Sequence, residues 1–293
     1  MRHPPARSRV FWLLLFLTGL SLAAGAAGIT LPRSVPSFSQ NYTFGPDAWG
    51  NSLLGSDGCP DRFRVSGCLV TAFACVLSYY GIEVSVSADQ SFTGRAATGM
   101  DPGILNDWLR AHHGFGRCPG EEYGSCCLEW GRLPDGIELT FYENRSDVGL
   151  NPVAAVVIDH ALRRGYPVVA GVHWGTSCNG SGARAEDCHW IVLTGKAGDT
   201  YTIVDPYNPD PTSPRGVRTT IDAGSRGSYI IDRFVVVSGT IPTEDGGGTP
   251  QTDQGSPHDG AEERGSPLSA IAVLLLFLAG LTAIVLLTMN DQP

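Results

Sequence analysis

Cys68, His189 and Asp205 are the residue types that together activate a thiol for attack on a carbonyl: a nucleophile, a base and an acid to orient the base. Cys68 follows Ser66-Gly67 and opens Leu69 to Leu77, a run that is apolar on nearly all sides. A helix start carries unpaired N–H groups and a partial positive charge, conditions that favour a thiolate. Gly67 would let a substrate backbone approach closely. In an exported protein the competing role for Cys68 is half of a disulfide.

His189 shifts that balance. It precedes the apolar run Trp190-Ile191-Val192-Leu193, and a second run, Tyr201-Thr202-Ile203-Val204, ends at Asp205-Pro206. Lys196 to Asp199 reads as the turn between them. A hairpin closing around Ala197 pairs residues whose numbers sum to about 394, as 189 and 205 do, and cross-strand neighbours lie ~5 Å apart. Such a pairing lets a carboxylate hold an imidazole ring. His173, at the end of its own strand, is the reserve candidate for the base. His112, His113 and His160 read as solvated or hydrogen-bonded.

The elements that must position these groups follow from periodicity and caps. Ser66 to Tyr80 reads as a buried central helix stopped by Gly81. Asp101-Pro102 and Asn151-Pro152 each combine an N-cap side chain with proline in the first turn. The helices they open end near Gly114 and at Gly165. Beyond Gly165 come short β-branched runs at 167–172, 190–193, 201–204 and 234–237. Helices first and strands second give an α+β fold with an antiparallel sheet. One body spans residues 29–242, with 207–228, rich in Pro, Gly and Ser, as a long surface loop.

Eight cysteines indicate an oxidising compartment. Cys75 lies within the apolar run and reads as a buried thiol. With Cys68 set aside, six remain, enough for three bridges. Cys178 and Cys188 bracket a loop rich in Gly, Ser and Asn and are the favoured pair. Cys59, Cys118, Cys126 and Cys127 allow three pairings, with the adjacent Cys126 and Cys127 expected to take different partners. No Cys-x-x-Cys pair supports a zinc site. Asn41-Tyr-Thr, Asn144-Arg-Ser and Asn179-Gly-Ser have the form of glycosylation acceptors.

Both ends of the chain read as membrane-related. Residues 1–27 combine a basic start, an apolar stretch and Ala24-Gly25-Ala26, the pattern of a secretory signal. Leu268 to Met289 contains no charge and is about 33 Å long as a helix, enough to span a bilayer. Residues 243–267, rich in Gly, Pro, Asp, Glu, Ser and Thr, read as a disordered linker. The body is thereby expected on the extracellular or periplasmic face of a single-pass membrane protein. Apolar residues make up 42% of the 293 residues and charged ones 17%, the balance of a globular core. A net charge of −9, with no basic run after residue 9, argues against nucleic acid as a partner.

One ordered combination is similar to a known family. Its pieces are Gln40, Trp49-Gly50, Ser66-Gly67-Cys68, Tyr79-Tyr80-Gly81, His189-Trp190-Ile191-Val192 and Tyr201 to Pro206. Together they resemble the bacteriocin-processing (double-glycine leader) cysteine peptidase-like family of the papain superfamily. The resemblance implies a papain-like fold and a peptide or protein substrate, with no cofactor. It further implies Cys68 as nucleophile, His189 as base, Asp205 as its orienter and Gln40 as an oxyanion-hole amide. The same triad could transfer an acyl group to an amine, and the same fold could serve as a catalytically silent binding or adhesion module. The family's processing peptidases are fused to export transporters. This chain has neither a six-helix span nor an ATP-binding Gly-rich loop, so leader processing is not expected of it.

Overall fold

The computed structural model describes residues 28–242 except 57, 119–123, 145–148 and 175–187. The expected signal, linker and membrane span therefore lie outside the described residues. No helix among the described residues is long and apolar enough to cross a membrane. In chain order the described elements are β1 (Ile29–Thr30), α1 (Phe63–Ser66), α2 (Cys68–Tyr79), β2 (Val84–Val86), β3 (Ala97–Gly99), α3 (Pro102–Ala111), β4 (Phe115–Gly116), β5 (Cys127–Leu128), β6 (Ile137–Glu143), α4 (Pro152–Arg163), β7 (Val168–His173), β8 (Cys188–Ala197), β9 (Thr200–Asp205), β10 (Val217–Thr220) and β11 (Ile230–Gly239).

The fold is α+β, built on a sheet ordered β10-β9-β8-β7-β11-β6 in which β1 also pairs with β8, every pair being antiparallel. β7 is buried along its whole length, which is why its residues 168–172 read as a continuous apolar run instead of an alternating one. α2 packs against β8, and α4 against β1, β7 and β8. Val70 to Leu77 are all buried, so this helix is the centre of the core. Its C-terminal end is tied down by Tyr79, whose hydroxyl donates to the Gly165 carbonyl at 2.9 Å, and by Tyr80, whose hydroxyl donates to Val237 at 2.6 Å.

The capped helices form where their first residues indicate. Asp101 accepts from the Ile104 N–H at 2.8 Å, and Asn151 from that of Val153 at 2.8 Å. Gly81 and Gly165, with φ of +69° and +83°, take the left-handed conformation that ends α2 and α4.

Two expectations are corrected. Strands do not all follow the helices, because β6 lies between α3 and α4 and pairs with β11 as the sheet's outer strand. Its Ile137-Glu138-Leu139-Thr140 alternation is the weak pattern of an edge strand with most residues exposed. Nor is 207–228 simply a surface loop. Within it Val217-Arg218-Thr219-Thr220 is a β-branched run between two glycines, and it pairs with β9 as β10.

Two disulfides join Cys59 to Cys126 and Cys118 to Cys127, so the adjacent cysteines take different partners. Cys188 is also disulfide-bonded, and Cys178, its expected partner, lies outside the described residues. Cys68 and Cys75 are free. Burial pushes the Cys75 thiol up to about 12, as befits an inert core group.

The two described bridges close loops of very different length, 67 and 9 residues. On the chain-entropy argument, Cys59→Ser/Cys126→Ser loses about 4 kcal/mol of stability, and Cys118→Ser/Cys127→Ser about 2 kcal/mol less than that. Urea unfolding of the two double variants checks the order.

Candidate active site

Cys68 stands at a break between two helices. Gly67 N–H donates to the Phe63 carbonyl at 2.7 Å and closes α1. A Cβ at Gly67 would sit 2.4 Å from that carbonyl and 2.6 Å from the Phe63 ring, so only glycine fits. The room beside Gly67 is thus filled by Phe63, which corrects the expectation that it was left for a substrate backbone. α2 then restarts at Cys68, with the Thr71 N–H and hydroxyl both donating to Gly67 O. In a continuous helix the Arg64 carbonyl would accept from Cys68 N–H; here it accepts the Gln40 Nε2 amide at 3.0 Å. Cys68 itself is half-buried.

His189 is placed by pairing with Val172 of β7, and Asp205 by pairing with Val217 of β10. The hairpin between them has a different register from the one expected. Ala197 faces Thr200 across a Gly198-Asp199 turn, so pairs near the turn sum to 397. A bulge at Thr194 then shifts the register, and Leu193 faces Ile203 and Val192 faces Val204. Asp205 is therefore a diagonal neighbour of His189, not directly opposite. The bulge matters because side chains alternate faces along a strand. Without it Asp205 would fall opposite Val192, on the wrong side of the sheet. With it Asp205 shares the His189 face, and Oδ1 meets Nε2 at 2.7 Å.

Asp205 is wholly buried and its carboxylate accepts four hydrogen bonds. Oδ1 takes His189 Nε2 and the Tyr207 N–H at 2.9 Å; Oδ2 takes the Ser225 N–H at 3.0 Å and the Tyr229 hydroxyl at 2.7 Å. Burial alone would raise its pKa, but the His189 bond and charge, with Ser225 and Tyr229, hold it below the ordinary carboxylate value. At His189, burial disfavours the imidazolium. The Asp205 hydrogen bond, the facing Cys68 and both partners' charges outweigh it and raise the pKa to about 9. Because Nε2 is engaged by Asp205, it is the other ring nitrogen that remains for the Cys68 thiol, whose proximity helps raise the His189 pKa.

Gln40 is buried. Its N–H donates to the Pro206 carbonyl at 2.8 Å, one residue past Asp205, while its side-chain amide reaches the turn before Cys68. Oε1 has no partner among the described residues. His173, the reserve base, makes a separate buried pair with Asp232, Nδ1 to Oδ2 at 2.9 Å. On β7 it alternates with Val172, so it faces away from His189. Asn144, the first residue of one acceptor-type triplet, is buried. Its amide donates to Ile231 O and Gly149 O and accepts from Asn151 N–H, which leaves no access for a sugar. Asn41 donates to Asn208 O, and Asn179 lies outside the described residues.

Sequence reasoning missed Tyr229, Trp174 and Arg226. The Trp174 and Tyr229 rings lie 6.3 and 6.0 Å from the His189 ring, and Arg226 stacks between Tyr207 and Trp174. The nearest set of metal-ligand types among the described residues, Cys59, Asp61 and Cys126, has both sulfurs in a disulfide. A cavity of about 980 Å³ is lined by Leu69 and Trp190, the residues following Cys68 and His189 in the chain, with Trp130, Phe141, Tyr142 and Arg233.

A thiol, an imidazole and a buried carboxylate in this order can carry out nucleophilic acyl chemistry. Comparison with known proteins points the same way. No curated protein matches the chain. Among solved structures, it overlaps a C39-like protein of Bacillus anthracis at 14% identity and a TM-score of 0.35, covering 71% of this chain and 97% of that one. It also overlaps the interpain A cysteine protease of Prevotella intermedia at 16% identity and a TM-score of 0.35, covering 72% and 94%. Both overlaps are weak, and the assignment rests on sequence. The profile of the Peptidase_C39 like family matches residues 33–231, a span that takes in Gln40, Cys68, His189 and Asp205. The chain belongs to the Peptidase_C39-like family.

Proposed function

We propose that this chain is a papain-like cysteine peptidase, tethered by residues 268–289 to a membrane and working outside the cytoplasm. The observation that carries the catalytic reading is the 2.7 Å contact between His189 Nε2 and a fully buried Asp205, with a free Cys68 at a helix start. The disulfides support the compartment. The tether rests on the uncharged 22-residue run at 268–289.

In the reaction, His189 takes the Cys68 proton and the thiolate sulfur attacks the scissile carbonyl carbon. The carbonyl oxygen becomes an oxyanion, which the Cys68 N–H and the second Gln40 amide hydrogen stabilise. The tetrahedral species collapses, the C–N bond breaks and the His189 proton goes to the leaving amine. Water, deprotonated by His189, then attacks the thioester, and the carboxylic acid leaves with Cys68 restored. Asp205 holds the ring throughout and stabilises its protonated form. The cavity lined by Leu69, Trp130 and Trp190 is assigned part of a peptide substrate because Leu69 and Trp190 follow Cys68 and His189 in the chain. A silent binding module is disfavoured because Cys68 carries no disulfide.

Reaction of the full chain with an epoxide thiol trap, followed by mass spectrometry, tests this directly. Cys68 is modified selectively, His189→Ala loses the modification, and Cys68→Ala changes the unfolding midpoint little. An unmodified Cys68 in the folded wild type overturns the proposal. Product analysis with an added amine separates hydrolysis from acyl transfer.

The raised His189 pKa sets a pH window. A group with a folded value of about 9 against an ordinary value near 6.5 adds stability that is complete below pH ~6.5 and lost as pH rises through about 9. The urea midpoint of the wild type falls across that interval, and His189→Gln flattens the fall. Turnover declines above about pH 9 as the ring loses the proton that the leaving amine needs.

A further inference from the structure

Both hydrogen-bond partners of Asp205 Oδ2 come from one short turn. Gly224 and Gly227 bridge to close it, and it presents the Ser225 N–H and the Tyr229 hydroxyl to that oxygen. Tyr229 is nearly wholly buried. Its hydroxyl oxygen accepts from the Arg226 N–H at 3.3 Å, which turns the hydroxyl proton toward Oδ2 at 2.7 Å. The ring's position is over-determined as well. A Cβ on Gly224 would lie 2.0 Å from the ring, and Trp174 packs at 5.9 Å. A hydrogen-bonded chain thus runs from Arg226 N–H through Tyr229 to Asp205, which also accepts from His189, across three stretches of sequence.

Resting on the cysteine peptidase reading, we propose that Tyr229 is a positioning residue for this reaction: through Asp205 it keeps the His189 ring oriented and charged. It touches neither substrate nor sulfur. The titratable and charged groups around Asp205 are His189 on β8, Tyr229 and Arg226 on the turn, and, beyond the ring, Cys68 on α2. Of these only Tyr229 gives Asp205 a side-chain hydrogen bond without itself taking part in proton transfer. Phenylalanine keeps the ring and its packing and removes the one hydroxyl, so Tyr229→Phe isolates the bond.

The test follows iodoacetamide alkylation of Cys68 in the full chain at pH 6, read by mass spectrometry, for wild type, Tyr229→Phe, Asp205→Asn and the double variant. Tyr229→Phe slows alkylation about tenfold, the size of one charge-assisted hydrogen bond. In the Asp205→Asn background the same change alters the rate by less than about twofold, because the group through which it acts has gone. A wild-type rate in Tyr229→Phe, or an undiminished effect in the Asp205→Asn background, overturns the proposal. The pH profile gives a second readout that serves even where Asp205→Asn does not fold. Loss of a donor makes the Asp205 carboxylate easier to protonate, so the acid limb of alkylation moves to higher pH in Tyr229→Phe; an unmoved limb overturns the role. Equal Cys68 rates in wild type and His189→Ala would instead sink the peptidase reading itself, an outcome distinct from either result at Tyr229.

Discussion

A carboxylate cut off from water must be surrounded by donors, and much of this fold serves that requirement at Asp205. An unpaired buried charge is among the most destabilising features a protein can contain. Four donors satisfy this one, from β8, from the chain just past β9, and twice from the turn before β11. β10 pairs with β9 at Asp205 itself and begins the path to that turn. The arrangement gives direction as well as stability. With three positions taken by groups that do not titrate near neutrality, the fourth fixes where the imidazole can point.

Cys68 is placed by a different device. The sheet carries His189 and Asp205, while Cys68 comes from the first residue of α2, and the packing of that helix on β8 brings the halves together. Phe63 occupies the space beside Gly67, and Gln40 takes the carbonyl that would otherwise continue the helix through Cys68. Gln40 is itself tied to Pro206. One residue thereby joins the turn before the thiol to the end of the strand that carries the acid.

The parts of this that were legible in the sequence are the ones local physics decides. Asp101 and Asn151 with their prolines announce helices wherever they occur, and Gly81 and Gly165 end them. Cys68, His189 and Asp205 stood out through residue type, strand ends and resemblance, and the structure gathers them in one place. What was not legible depends on distant chain. Val217 to Thr220 is too short and too surrounded by Pro and Gly to read as a strand, and becomes one only because β9 offers an edge. Tyr229 carries no local mark, since its importance lies in a carboxylate 24 residues earlier. Spacing does not choose among the pairings open to Cys59, Cys118, Cys126 and Cys127.

The bulge at Thr194 has a consequence for how this hairpin can change through evolution. Side chains on a strand alternate, so the face on which Asp205 appears depends on whether the count of residues back to His189 is odd or even. One surplus residue on β8 sets that parity. A single insertion or deletion between the two positions, if it keeps the turn and erases or doubles the bulge, carries the carboxylate to the far side of the sheet. Changes of two residues preserve the face, and only alter the reach. With the turn kept, length changes in this hairpin that hold the carboxylate on its face come in even steps, a rule written in backbone geometry and independent of which amino acids fill the strands.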